Sequence, residues 1–193
     1  MVNNPSVLIT GSSRGIGAAT ARLFAEHGYG VCVNYLQNAA AANQVVEEVK
    51  AFGVPCFAFQ ADVSDEDAVM ALFEAVDREF GTLQSLVNNA GILGHIGPCW
   101  ELDAENVRQV MEVNLIGTFR VCHAVLPGML ERKYGRIINI ASVAGKEGNA
   151  DLIPYSTSKA AVIALTKSIA KSVGGKGDIT ANCISPALLD TPM

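Results

Sequence analysis

The chain has 193 residues, half of them hydrophobic, 17% charged, with a formal net charge of −5. That length suits one domain with a full core. The acidic balance without a basic cluster argues against nucleic acid as a partner, no apolar run reads as a membrane span, and the opening Met1–Pro5 lacks the charged region of a secretion signal. A mean hydropathy of +0.28 fits a parallel sheet buried on both faces. Five cysteines and three scattered histidines show no metal-ligand spacing, so no metal is expected. The thiols read as small, mostly apolar-packed residues in a reducing cytoplasm.

Ser6–Ile9 is a short apolar strand that runs into Thr10–Gly11–Ser12–Ser13–Arg14–Gly15–Ile16–Gly17. A helix over Ala18–His27 follows, with Leu23 and Phe24 on its apolar face and Gly28 at its end. In this setting the glycines let the backbone turn sharply and let a phosphate approach the helix N-terminal amides. Without a ligand the same pattern is a tight strand–helix turn. Val31–Asn34 is the second strand, and its end is where an adenosine ribose is read. The stretch Asn34–Tyr35–Leu36–Gln37 offers no acid for a 2′-hydroxyl. Arg14 can instead meet a 2′-phosphate, which favours NADP(H) over NAD(H); otherwise it is a solvated turn residue.

Asn38–Phe52 reads as a helix closed by Gly53, and Cys56–Gln60 as a third strand ending in Ala61–Asp62–Val63. Ser64 with Asp67 forms a capping signature for a helix over Asp65–Phe80, with Val69, Leu72, Phe73 and Val76 inward. Leu83–Val87 is a fourth strand, followed by Asn88–Asn89–Ala90–Gly91 at the strand end where ligands bind in such sheets. These residues are also ordinary turn formers. After the loop Ile92–Trp100, a helical region over Ala104–Arg132 contains Gly117 and Pro127, which predict a bend. Asn114 lies in it among apolar residues and needs partners. It can bond backbone opened at the bend or hold a water near the site.

Arg136–Ile140 is a fifth strand with Ser142 just beyond it, Tyr155–Val173 a helix, and Ile179–Ile184 a sixth strand ending in Ser185–Pro186–Ala187. Six alternating strands and helices predict a doubly wound, Rossmann-like parallel sheet in a single domain over 1–193. On the last helix, Tyr155 and Lys159 lie four residues apart on one face. A fixed cation beside a phenol favours the phenolate, so such a tyrosine can give a proton to a carbonyl or take one from an alcohol. An amphipathic helix with an aromatic anchor and a solvated lysine has the same spacing.

Together these residues resemble the short-chain dehydrogenase/reductase family across essentially the whole chain. Thr10, Gly11, Gly15, Ile16 and Gly17 are similar to its cofactor turn, with Ser13 and Arg14 inside it. Asp62–Val63 resembles the pair that holds the adenine, and Asn89–Ala90–Gly91 the stretch after the fourth strand. Asn114, Ser142, Tyr155 and Lys159 match its catalytic set. The resemblance implies hydride transfer between NAD(P)(H) and a carbonyl or alcohol, with Tyr155 as general acid or base. It implies that Ser142 bonds the substrate oxygen and that Lys159 binds the nicotinamide ribose and tunes Tyr155. Asn114 would position a water that relays protons, and Tyr35, Pro186 and Thr191 would contact the cofactor. It also implies a homodimer or homotetramer formed through the helices around the fifth strand.

Two departures stand out. Ala187 occupies the place of a family glycine, and the chain stops at Met193 where relatives usually continue to a seventh strand. The last strand would then be an apolar edge. An alternative reading follows, in which the chain binds a nucleotide on this fold with lost or impaired catalysis. A sugar-nucleotide epimerase or dehydratase on the same fold fits the glycine spacing less well.

Overall fold

A computed structural model describes residues 4–188. Its strands are β1 (Ser6–Ile9), β2 (Gly30–Tyr35), β3 (Cys56–Gln60), β4 (Ser85–Asn88), β5 (Tyr134–Ile140) and β6 (Asp178–Ile184). The helices are α1 (Gly15–Glu26), α2 (Ala39–Lys50), α3 (Glu66–Phe80), α4 (Ala104–Met111), α5 (Thr118–Glu131), α6 (Ala144–Glu147) and α7 (Ile153–Val173). All strand pairs are parallel, in the order β3-β2-β1-β4-β5-β6. The order reverses between β1 and β4, and a crevice opens at the strand C-termini where such a reversal occurs.

Both faces of the sheet are covered, which is why the strands read as apolar runs. On β1, Val7 and Ile9 face α1 and α2, whereas Leu8 faces the layer of α3, α5 and α7. The second layer packs Leu72, Phe73, Val76, Val121, Val125, Met129 and Ile169 against Leu86 and Ile137.

Several boundaries differ from the sequence expectation. The first helix starts three residues early, at Gly15, and its buried stripe is Gly17, Ala18, Ala21 and Ala25. Leu23 is 55% exposed: the helix meets the sheet through small side chains, and Leu23 lies about 200° around from Ala21. The cap of α3 is Asp65, whose side chain accepts from the Ala68 N–H, because Ser64 is occupied by Asp62. Between α4 and α5 the helix widens into a π-helical turn over Glu112–Gly117.

The span Ala104–Glu131 is, contrary to the sequence expectation, long and apolar enough to cross a membrane by length and composition. Here Val121, Val125 and Met129 lie in the core beside the sheet, and 39% of the apolar stretch is buried.

Candidate active site

The β1–α1 turn is built by buried polar residues. Thr10 is 1% exposed, and its Oγ1 accepts from the N–H groups of Asn89 and Ala90, each at 3.0 Å. The Asn89 Nδ2 donates to the carbonyls of Thr10 and Gly11. Gly11 has φ +61, and a Cβ there would meet the Ala90 Cα at 2.8 Å. A Cβ on Gly17 would lie 2.6 Å from Asn89 Nδ2 and 2.7 Å from the Gly11 carbonyl oxygen. Both glycines are therefore required by close backbone approach. The N-terminus of α1 has no side-chain cap and no acidic residue in its first turn, so its amide donors face the cleft unclaimed. Arg14 is exposed at that end, with no carboxylate partner among the described residues.

At the end of β2, Asn34 is buried, accepts from the Gly11 N–H, and donates to the Ala61 carbonyl at 3.0 Å. It ties three strand ends together and leaves Tyr35, Leu36 and Gln37 on the cleft wall. Asp62 Oδ1 accepts from the Ser64 N–H and hydroxyl. Val63 packs under Gly117, where a Cβ would meet its Cγ2 at 2.8 Å.

The other half of the cleft comes from β5, α6 and α7. Ser142 lies just beyond β5, with its Oγ accepting from the Ala144 N–H at 3.2 Å. Gly145 brings α6 against α7, since a Cβ there would stand 2.6 Å from the Lys159 carbonyl carbon. Pro154 in the first turn of α7 is placed where its missing N–H costs nothing. One turn on, the Lys159 amine is 5.7 Å from the centroid of the Tyr155 ring and donates to the Ile140 carbonyl at 2.7 Å. Lys159 is 4% exposed, and burial lowers its amine from 10.5 to about 8.

Asn114 sits in the π turn, fully buried. Its Oδ1 accepts from the Ile92 N–H, and its Nδ2 donates to the Ile92 carbonyl and to Ser158 Oγ. It thus bonds a neighbouring loop and α7. Its own backbone carbonyl accepts from the Thr118 hydroxyl at 2.8 Å. A Cβ on Gly91 would stand 3.1 Å from Asn114 Oδ1 and 3.4 Å from Lys159 Nζ, so the bare backbone at Gly91 lets both side chains approach.

These groups share one cleft of about 1310 Å³. Gly11, Ser13, Arg14, Gly15, Ile16, Tyr35, Asp62, Val63, Asn89, Ala90, Gly91, Ser142, Tyr155, Lys159, Pro186 and Ala187 all line it. Thr10, Gly17 and Asn114 lie behind the wall and shape it. Thr191 falls outside the described residues. The sequence reading did not single out Asn34, Gly145 or Ser158. A polar residue closing an apolar strand was the available signal for Asn34; the other two carry none, because their contacts are long-range.

A profile of the family described as short chain dehydrogenase matches residues 5–193. The chain belongs to the short-chain dehydrogenase family. It is 43% identical over 188 residues to the 3-oxoacyl-[acyl-carrier-protein] reductase FabG of Staphylococcus aureus strain Mu50, covering 97% of this chain and 76% of that protein. Among solved structures it superposes on NAD+-bound xylitol dehydrogenase with a TM-score of 0.92 and 35% identity, covering 97% of this chain and 72% of the other. Levodione reductase gives 0.94 and 33%, covering 98% and 73%. As a short-chain dehydrogenase the chain is an NAD(P)-dependent oxidoreductase acting between CH–OH and carbonyl groups on small molecules.

Proposed function

We propose that this short-chain dehydrogenase reduces a ketone to a secondary alcohol with NADPH, and that Tyr155 donates the proton. The observation that carries the reading is the buried Lys159 amine beside the Tyr155 ring, inside the cleft that the glycine turn opens. The site fits a dinucleotide. The uncapped α1 N-terminus and the crowded glycines form a cradle for a pyrophosphate, and Asp62, on the cleft wall with its Oδ1 held by Ser64, would meet the adenine. When bound, the nicotinamide supplies the hydride.

The chain's own residues handle the charge. Tyr155 holds its proton toward the substrate oxygen. Ser142 Oγ donates a hydrogen bond to that oxygen as negative charge builds on it. The Lys159 cation stabilises the phenolate left behind, and a water positioned by Asn114 relays a proton back through Lys159. The proposal extends to a single catalytic domain in the cytoplasm. It also includes self-assembly into a dimer or tetramer through α7 and the helices over 104–131, on which Phe119 is 48% exposed.

NADP(H) is favoured over NAD(H) because Arg14 is exposed at the ribose end and Asn34–Gln37 present no acid. A 3-oxoacyl thioester is the favoured substrate class, by likeness to the FabG protein above. The test is NADPH oxidation measured with a 3-oxoacyl thioester, a cyclic dione and a ketose. The thioester is expected to give the highest kcat/KM. Arg14→Ala is expected to cut the preference for NADPH over NADH by roughly tenfold or more, the scale of one charge-assisted bond. Nicotinamide binding without turnover of any ketone would favour the non-catalytic alternative.

A further inference from the structure

We propose that Asn139 and Thr166 form a positioning pair that fixes the register of α7 on β5, and with it the location of Tyr155 and Lys159; this rests on the catalytic reading above. Asn139 is 0% exposed and Thr166 2%. Asn139 Nδ2 donates to Thr166 Oγ1 at 2.9 Å, and the Thr166 hydroxyl donates to the Val162 carbonyl at 2.7 Å. The amide orientation of Asn139 is set from its other end, where Oδ1 accepts from Asn88 Nδ2 at 2.9 Å. Each group therefore has its donor and acceptor roles assigned by its neighbours.

Placement makes the pair informative. Thr166 lies seven residues after Lys159, two turns along the same stripe of α7. Asn139 directly precedes Ile140, whose carbonyl accepts from the Lys159 amine. Among the described residues these are the two side-chain hydrogen bonds that join β5 and α7. One of them uses the reactive amine itself. The other is remote from the cleft and is undisturbed when the amine engages a ligand.

Apart from Asn114 Nδ2 donating to Ser158 Oγ at the cleft end of the helix, the remaining contact of α7 with the core is apolar, through residues such as Val162, Ile169 and Val173. Apolar burial is non-directional, so a slip along the helix axis would cost it little. A slip of one residue moves the side chains about 1.5 Å, and misplacement of about 1 Å can cost on the order of a hundredfold in rate. A buried neutral hydrogen bond adds only about 1 kcal/mol to stability, and apolar groups of the same shape serve nearly as well. Direction is what the pair supplies and an apolar pair would not.

The test uses Thr166→Val, Thr166→Ala and Thr166→Ser, with NADPH affinity and kcat measured separately. Loss of the hydroxyl is expected to leave the NADPH Kd within about threefold, since the β1–α1 turn is untouched, and to lower kcat roughly tenfold to a hundredfold. Thr166→Ser, which keeps the oxygen, is expected to stay near the parent. Parental kcat in folded Thr166→Val or Thr166→Ala, or a Ser variant as slow as these, overturns the proposal. If the parent binds NADPH but turns over no ketone, the catalytic reading fails instead. The pair is then judged by amide hydrogen exchange over Tyr155–Lys159, where faster exchange in the Val variant supports it and unchanged exchange overturns it.

Discussion

Lys159 shows how a single side chain can serve chemistry at the expense of stability. Its amine is buried with one carbonyl partner and, among the described residues, no carboxylate, so the folded state holds the charge reluctantly. Below about pH 8 both the folded and unfolded chains carry the proton, and the folded state bears the full penalty. Between about 8 and 10.5 the unfolded chain alone keeps it, so this group makes stability rise with pH. The interval corresponds to roughly 3 kcal/mol. Lys159→Met relieves that penalty but strands the Ile140 carbonyl, at about 1 kcal/mol. Urea unfolding at a series of pH values should find this variant about 2 kcal/mol more stable than the parent at pH 7. The gap should close by about pH 10, and parallel curves would contradict the burial argument. The same titration predicts that kcat/KM for reduction falls as pH rises through about 8. Spacing alone revealed that Tyr155 and Lys159 share a face. It did not reveal that the amine is sealed against Ile140, because that depends on Gly145 letting α6 press onto α7.

At the level of elements, close approach decides more than propensity. Gly17→Ala would gain up to about 1 kcal/mol of helix propensity. Against that, the new methyl would meet the Gly11 carbonyl oxygen and the Ser12 Cα at 2.7 Å, and neither is a flexible side-chain end. Overpacking of this kind costs about 1–3 kcal/mol, so a net loss of stability and weaker NADPH binding are expected. Gly128→Ala is the milder comparison: only Arg132 Nη1 lies near its added methyl, at 3.1 Å. Arg132 Nη2 also donates to the Leu83 carbonyl, but the guanidinium has to give by only a few tenths of an ångström. Thermal unfolding should therefore show a larger loss for Gly17→Ala than for Gly128→Ala, and an equal or smaller loss for Gly17→Ala would contradict the close-approach argument. The placement of Leu23 teaches the same lesson. Hydrophobicity chose Leu23 and Phe24 for the buried face; Phe24 packs at the edge of the core, but the fully buried stripe is Gly17, Ala18, Ala21 and Ala25, and Leu23 points away. The π turn at Asn114 was legible only as an expected bend, because Ile92 and Ser158, which hold the amide, lie far away in sequence.

Across the whole molecule, alternation of strands and helices was enough to read the doubly wound sheet, since parallel pairing leaves few other arrangements. The wall of the cleft was also readable, because ligand-binding residues in such sheets collect at strand C-termini. What was not readable was the layer behind that wall. Asn139, Thr166 and Ser158 act through partners on other elements and no local pattern marks them, while Asn34 carries only the signal of a polar residue closing an apolar strand. The account finally depends on Tyr155 as proton donor, and Tyr155→Phe tests that most directly. With NADPH affinity and ketone turnover measured on the same sample, the variant should bind NADPH within about twofold of the parent and lose on the order of a hundredfold to ten-thousandfold in kcat. A Phe variant that keeps more than about a tenth of the parental rate would contradict the account.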